Sequence, residues 1–527
     1  MSEPFRIDFE PLGRRVKAHP GQTLLEVAQA AGVGLASVCG GTGTCEECRV
    51  RLAFGKLTPP TLVEEATLSK VELAAGLRLA CQAEPLSDVK LDIPPESLTT
   101  SQRLQLEGQD SHVTPKPAVT TPGAYGLAVD IGTTKLAAYL VCLDNGETVA
   151  RAGAMNPQVA YGEDVISRIA YAGREPDGAK QLQTALFETL NRLLAEMCAE
   201  AQIPAERVAD AVLVGNTAMH HLFAGLPIVQ LGHTPFSPAT TKPLSILASE
   251  SGLNLAPRAK IYLPPVIAGY VGADHLAMLL ATDAWKSSRN VIALDIGTNT
   301  EISVISDGQI TCCSCASGPA FEGAHIHEGM RAAPGAIERA RWSEDKILWQ
   351  PIENNPPVGI CGSGILDVVA ALLDGNLLKT TGALQTGPRS EYVLVPAAQA
   401  GLDREIVVTR KDIHEIQLAK SAIRAGVETL LQKAGLTSAD VDEFIVAGAF
   451  GTYLDLRSAV RVGMFPPLPL ERFRQVGNAA GVGAKQMLIS VDKRREAEAI
   501  AGKIGYIELS AQTAFTPLFI KHLSFEV

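Results

Sequence analysis

Apolar and polar positions follow two different rhythms along this chain of 527 residues. Near the N-terminus the pattern reads strand, strand, helix. Phe5–Glu10 alternates, Gly13 turns the chain, and residues 15–18 alternate again. Thr23 and Glu26 form a capping box ahead of the helical run LEVAQAAG, with Gly32 as its left-handed stop. From residue 125 onward the apolar runs lengthen and end in Gly-Thr turns. Residues 128–141 read AVDIGTTKLAAYLV and residues 293–306 read ALDIGTNTEISVIS, two copies 165 residues apart. Each predicts a strand, a tight turn and a second strand, and each runs on to a further turn, Asp144-Asn145-Gly146 and Asp307-Gly308. Residues 413–434 predict an amphipathic helix with Ile416, Ile423, Val427, Leu430 and Leu431 on one face and Gly435 as its stop. Residues 359–369, GICGSGILDVV, predict a Gly-rich turn entering a helix. Between the two rhythms, residues 94–124 lose all periodicity. Rich in Pro, Ser, Thr and Gln, they cannot bury enough apolar surface to order themselves, and as a flexible coil would reach ~30 Å.

Length allows about three or four folding units, and an apolar fraction of 46% is ample for their cores. A net charge of −11 and an aromatic content of 5% argue against a nucleic-acid partner, which calls for basic surface and stacking platforms. The N-terminus has no apolar leader, and no stretch approaches the ~20 apolar residues that span a bilayer. The expected setting is therefore the cytoplasm, where thiols stay reduced and the ten cysteines read first as ligands.

Cys39, Cys45 and Cys48 share one Gly-rich loop, and Cys81 stands alone in RLACQ. Three thiolates on a loop plus a distant fourth suit a [2Fe–2S] cluster, with Gly40, Gly41 and Gly43 letting the backbone close around it. The C-x5-C-x2-C spacing is one residue longer than the plant ferredoxin pattern, and four thiolates also suit Zn²⁺. Cys312, Cys313, Cys315 and Cys361 invite a second metal site. Neighbours on a strand face opposite ways, however, so packing is the simpler reading for them, as for Cys142 and Cys198.

The two DIGT copies point to phosphate. A tight Gly turn offers backbone N–H groups to anionic oxygens, and the preceding Asp130 or Asp295 can hold Mg²⁺ through water. A lone copy would read as a simple hairpin turn, and the repetition at domain scale weighs against that. The phosphate candidates are Gly132, Thr133, Thr134 and Lys135 in the first turn and Gly297, Thr298 and Asn299 in the second. Gly362, Ser363 and Gly364 form a further anion candidate at a helix start. Gln158, Asp164 and Glu322 are candidates to orient the attacking water beside the catalytic aspartates.

The doubled turn resembles the two phosphate motifs of the actin, Hsp70 and sugar-kinase (ASKHA) superfamily. FIVAGAFGTYLD at 444–455 looks like that superfamily's adenosine motif, with Gly448 and Gly451 giving room to the nucleotide. The first hundred residues resemble β-grasp [2Fe–2S] ferredoxin domains. The fold expected is thus α/β multidomain: a ferredoxin-like domain over 1–93, a linker over 94–124, and ASKHA lobes over 125–290 and 291–527.

Together these parts look like the reductive activators of corrinoid proteins. The stretches NPQVAYGEDVISRI at 156–169, VGNTAMHHLFAGL at 214–226 and CSCASGPAFEGAHIHEGMRAAPGAI at 313–337 fit that family. The resemblance implies ATP, Mg²⁺ and a [2Fe–2S] cluster as cofactors, a corrinoid protein and an upstream one-electron donor as partners, and compatibility with a homodimer. It implies one-electron reduction of Co(II) to Co(I), driven with the help of ATP. His220 and His221, or His325 and His327, then read either as imidazoles donated to cobalt or as hydrogen-bonding groups near the interlobe cleft. One departure is expected: the chain passes directly from linker to Asp130, without the extra domain that relatives carry there. The rival readings are a small-molecule kinase with an accessory ferredoxin domain, a cobalamin-exchange chaperone, and a 2-hydroxyacyl-CoA dehydratase activator.

Overall fold

The computed structural model describes residues 4–526 except 11, 32, 34, 36–40, 44–47, 95–96, 98–107, 109–112, 163, 298, 324, 386, 388 and 403. The expectations for Gly32, Cys39, Gly40, Cys45 and Thr298 fall outside the described residues. Two compact units emerge that do not follow chain order. One holds residues 1–103, 159–161 and 319–417, and the other holds 104–158, 162–318 and 418–527.

In the first unit, strands β1 (Phe5–Glu10), β2 (Arg14–Ala18), β3 (Arg49–Phe54), β4 (Leu77–Leu79) and β5 (Val89–Asp92) form a sheet in the order β2-β1-β5-β3-β4. β1 pairs antiparallel with β2 and parallel with β5, a mixed β-grasp sheet. The helix Leu24–Ala30 crosses it, and its capping box forms as expected: the Glu26 amide donates to Thr23 Oγ1 at 3.2 Å and the Thr23 amide to Glu26 Oε2 at 2.8 Å. Ile7, Phe9, Leu24, Leu79 and Leu91 are fully buried between helix and sheet.

The other unit carries the repeat as architecture. β6 (Tyr125–Ile131), β7 (Lys135–Cys142) and β8 (Thr148–Met155) meander antiparallel, and β9 (Val208–Gly215) joins parallel to β6. β10 (Leu244–Leu247) and β11 (Lys260–Leu263) complete the order β10-β11-β9-β6-β7-β8. β12 (Val291–Ile296), β13 (Thr300–Ser306) and β14 (Gln309–Cys315) repeat the meander. Residues 319–417, which belong to the first unit, form the small sheets of β15 (Ala336–Ser343), β16 (Lys346–Pro351) and β17 (Gly359–Ile360), and of β18 (Glu391–Val395) and β19 (Ile406–Thr409). β20 (Glu443–Ala447), β21 (Phe473–Gly477) and β22 (Ile504–Tyr506) finish the second large sheet, where β20 runs parallel to β12 as β9 does to β6. This is the ASKHA pattern, duplicated.

One core joins the duplicated sheets. The helix Ala479–Ile489 packs against β6, β9 and the helix Ala273–Ala281, and it brings Ala480, Val482, Met487 and Leu488 into a cluster with Val212, Leu276, Ala293 and Ile445. The amphipathic helix expected at 413–434 spans Arg410–Lys433, with Ile416, Ile423, Val427, Leu430 and Leu431 buried.

The linker expectation needs a correction at its C-terminal end. The Lys116 amide donates to Ile489 O at 2.7 Å and the Val491 amide to Lys116 O at 2.9 Å, while Val113 and Val119 pack on the shared core. Composition concealed this strap because its pairing uses backbone groups, which every residue carries. Among the described residues, no helix is long and apolar enough to cross a membrane.

Candidate functional site

β6 and β12 end in Asp130 and Asp295, and the turns that follow differ by one residue. Ile131 pairs with Leu136 across the first turn, whereas Ile296 pairs with Thr300 across the second. The first turn is held through its carbonyls. Asn156 Nδ2 donates to Gly132 O at 2.8 Å, the Asn156 amide to Thr134 O at 2.8 Å, and the Arg168 guanidinium to Thr133 O. Asn216 Nδ2 reaches Thr133 Oγ1 at 2.7 Å. Asn156 and Arg168 are fully buried, so these bonds compete with little water. Fixing the carbonyls from the protein side sets the orientation of the amides that such a turn presents to a phosphate. In the second turn the Gly297 amide donates to Asn299 O at 3.0 Å.

Four carboxyl groups converge at these turns. Asp274, in the first turn of the helix Ala273–Ala281, and Glu301, opposite Asp295 on β13, join the two expected aspartates. Burial, reinforced by the charges of Asp274 and Asp295, pushes Asp130 up to about 8, and a hydrogen bond from Asn478 opposes the rise. Burial and Asp274 push Asp295 up to about 7, and burial pushes Asp274 up to about 6. Burial and the charges of Asp274 and Asp295 hold Glu301 well above the usual carboxylate range. Asn478 also caps the helix Ala479–Ile489, accepting from the Gly481 amide at 2.8 Å.

The stretch 444–455, expected to form the adenosine motif, closes against this cluster. Gly448 has φ of +91°, and a Cβ there would lie 2.5 Å from Ile296 O and 2.7 Å from Asp295 Oδ1. Only glycine lets β20 turn so close to the aspartate. Gly451 lies on the helix Ala449–Tyr453, and its carbonyl accepts from Gln475 Nε2 at 2.6 Å.

Other expected residues have different tasks. Gln158 is fully buried, its amide given to Leu182 O at 2.9 Å and its oxygen taken by Arg168 at 3.1 Å, so it buttresses Arg168 and does not orient water. Asp164 caps the helix Val165–Arg174 through the Ser167 amide. Glu322 stands 3.9 Å from Arg331 within the other compact unit. Gly362, Ser363 and Gly364 are buried at the start of the helix Gly362–Asp374. A Cβ on Gly362 would fall 1.7 Å from Phe321 O and one on Gly364 2.0 Å from Ile337 O, so tight packing accounts for both glycines. His220 and His221 are buried side by side, Nδ1 to Nδ1 3.3 Å, and burial pushes His220 down to about 3. Buried imidazoles of this kind are not donated to a partner's cobalt. Cys312, Cys313 and Cys315 are buried along β14 with thiol pKa values raised by burial, the behaviour of packing residues.

Sequence reasoning passed over Asp274, Glu301, Asn156, Arg168, Asn216 and Asn478 as individual residues. A signal for Glu301 existed: the repeat places Leu136 at the equivalent position of the first copy, so the apolar periodicity breaks there.

In the ferredoxin-like sheet, the Ala80 amide donates to Cys48 O at 2.8 Å, drawing the Cys48 loop beside Cys81. Gln82 Nε2 ties the same loop through Gly41 O at 3.0 Å. Buried Cys48 and Cys81 thus occupy neighbouring positions, as two ligands of one cluster must.

A duplicated sheet with paired phosphate turns, joined to a β-grasp cysteine domain, defines an ASKHA ATPase that carries a [2Fe–2S] centre. Comparison with known families agrees along the chain. Residues 7–86 match the 2Fe-2S iron-sulfur cluster binding domain, 125–287 the RACo middle region, and 289–527 the C-terminal domain of RACo, the ASKHA domain. The corrinoid activation enzyme RamQ of Eubacterium limosum is 33% identical over 418 residues, spanning 76% of this chain and 70% of that protein. The "[Co(II) methylated amine-specific corrinoid protein] reductase" of Methanosarcina barkeri is 27% identical over 437 residues, spanning 76% of this chain and 77% of its own. The solved reductive activator for corrinoid, iron-sulfur protein is 31% identical, with a TM-score of 0.70 over 99% of this chain and 98% of that one. The chain belongs to the family of reductive activators of corrinoid proteins. The match at 125–287 corrects the expected departure: the RACo middle region is present, and it carries the first of the duplicated sheets. The matched domains bind a 2Fe–2S cluster and ATP.

Two outcomes test this site. Asn156→Ala leaves Gly132 O without its buried partner, a loss of about 1–3 kcal/mol, so calorimetry with a non-hydrolysable ATP analogue should show about tenfold weaker binding or worse. Equal affinity would remove the buttress from the site. The second outcome concerns pH. Carboxyls whose folded pKa is raised bind more protons folded than unfolded, so they contribute stability at acid pH that is lost as pH climbs towards about 8. In a metal chelator, the melting temperature of the wild type should fall more steeply between pH 5 and 8 (roughly the interval between the unfolded and folded values) than that of Asp295→Asn. Parallel curves would contradict the carboxyl cluster.

Proposed function

We propose that this protein is an ATP-dependent reductive activator that delivers one electron to the Co(II) of a corrinoid protein and returns it to the Co(I) needed for methyl transfer. The observation that carries this reading is the presence, on one chain, of a cysteine domain fit for a [2Fe–2S] cluster and a buttressed pair of phosphate turns. Its named relatives support the same activity. A kinase or an exchange chaperone has no use for the first part. A dehydratase activator holds its cluster between two short subunits and lacks the separate domain.

Cys39, Cys45, Cys48 and Cys81 would hold the cluster, and when bound it supplies one-electron chemistry near about −400 mV. Asp130, Asp295, Asp274 and Glu301 would hold Mg²⁺ through its water shell. Electron transfer to a more strongly reducing cobalt couple is uphill. ATP can drive it only by favouring a protein state that engages the corrinoid protein differently. The two turns sit on sheets that share the core helix Ala479–Ile489, so closing them on the γ-phosphate shifts packed elements together. Asn478, bonded to Asp130 and capping that same helix, links nucleotide contact to helix position. An external one-electron donor in the cytoplasm reloads the domain after each delivery.

The test mixes reduced protein, Mg–ATP and a Co(II) corrinoid protein and follows the visible spectrum. Co(I) should appear, and only with ATP. Its absence, its appearance without nucleotide, or ATP turnover that requires a phosphorylatable small molecule would overturn the reading. Cys81→Ser should lose both cluster absorption and cobalt reduction while keeping ATP binding. Asp295→Ala should keep the cluster spectrum and lose the ATP dependence.

A further inference from the structure

Within one compact unit, the ferredoxin-like sheet meets residues 319–417 through two crossed ion pairs. Arg14 on β2 reaches Glu328 Oε2 at 3.3 Å, and in the opposite sense Arg331 reaches Glu10 Oε2, on β1, at 2.9 Å. All four residues are at most 6% exposed. Arg14 also donates to Gly329 O and Val358 O, each at 3.3 Å, and Arg404 closes on Glu328 from the other side at 2.8 Å. One backbone bond fixes the register: the Arg331 amide donates to Leu12 O at 3.0 Å.

Each surface gives one cation and one anion to the crossed pairs, with Arg404 as a second cation on Glu328, so the contact is specific. Its net strength is small, because removing four charges from water offsets most of their attraction. The apolar part does not compensate. A cavity of about 310 Å³ remains at the seam, lined by Leu12, Val33, Met330, Pro334, Pro356 and Val358. A permanent core would close such a gap. The receiving segment, residues 328–331, is also wired to its surroundings: the Ile360 amide donates to Glu328 O at 2.8 Å, and the Met330 amide to Ile360 O at 3.0 Å, directly ahead of the helix Gly362–Asp374. On the docked domain, Leu62 and Val63 stay exposed.

We propose that these crossed ion pairs form a reversible dock that stations the cluster domain on residues 319–417, in a single register, between encounters with its electron partners. The partners rest on the function proposed above; the dock is a property of the free chain. The test is hydrogen–deuterium exchange on the full-length, cluster-loaded protein. In the double variant Glu328→Gln, Arg331→Gln, amides at residues 10–16 and 328–335 should exchange together, about tenfold faster or more, with cluster absorption and ATP turnover unchanged. Unchanged exchange, or acceleration on one side alone, would overturn the dock. If the variant loses its cluster, the wild type decides: exchange on both sides should accelerate in concert between about 0.05 and 1 M NaCl, and salt-independent protection would overturn the dock. A failed corrinoid assay alongside this transition counts against the activity and leaves the dock standing.

Discussion

The ATPase is organised around carboxyl groups held together in a buried cluster. Asp130, Asp274, Asp295 and Glu301 come from four separate elements, burial raises the cost of ionising each, and the charges of Asp274 and Asp295 add to that cost at their neighbours. Ionised together, they would drive the elements apart. The hydrophobic core behind them prevents it, because the helix Ala479–Ile489 belongs to the second half of the repeat and is buried against strands of the first. Apolar burial is strong and has no preferred direction, so it can hold a polar arrangement that gains nothing by itself. In the function proposed above, a divalent cation would neutralise the carboxylates and a polyphosphate would meet the turn amides.

The same logic explains why the first turn is built from amide and guanidinium side chains. Asn156, Arg168 and Asn216 are donors aimed at a carbonyl or hydroxyl of the turn, and together with Gln158 they form a buried chain of hydrogen bonds. Buried networks of this kind are rigid when complete and costly when broken. Rigidity matters here because phosphoryl chemistry depends on positioning more than on covalent participation.

Much of this was legible in the sequence, and the remainder was hidden for identifiable reasons. The capping box at Thr23 and Glu26, the two DIGT strands and the long helix at 410–433 are set by local pattern, and local pattern was enough. The partners of the first turn were not legible individually, because a buried Asn or Arg looks like any other polar residue until the chain brings Thr133 beside it. Gln158 was misjudged for the same reason: its type suits water, but Leu182 O and Arg168 occupy it. Gly362 and Gly364 look like an anion turn, while the backbone oxygens pressed against them supply a sufficient cause. The strap at residues 113–124 is held by backbone pairing at Lys116 and by the isolated Val113 and Val119, too few apolar positions to make a periodic pattern.

That strap changes how far the cluster domain can travel. With Gly108 bridged to Gly477 and Lys116 paired at Ile489 and Val491, the connection from Ile93 to Gly108 is about fifteen residues, which covalent geometry limits to roughly 50 Å at full extension. A domain confined to such a volume meets its dock at an effective concentration that reaches the millimolar range for short connections. A contact too weak to hold two separate proteins is then well populated within one chain, yet it still opens often. Crossed ion pairs around an unfilled seam meet that requirement, since they discriminate strongly between registers while contributing little net stability. A hydrophobic interface of the kind that joins the ATPase sheets would instead have held the cluster in one place, and an electron carrier held there could not serve both a donor and an acceptor.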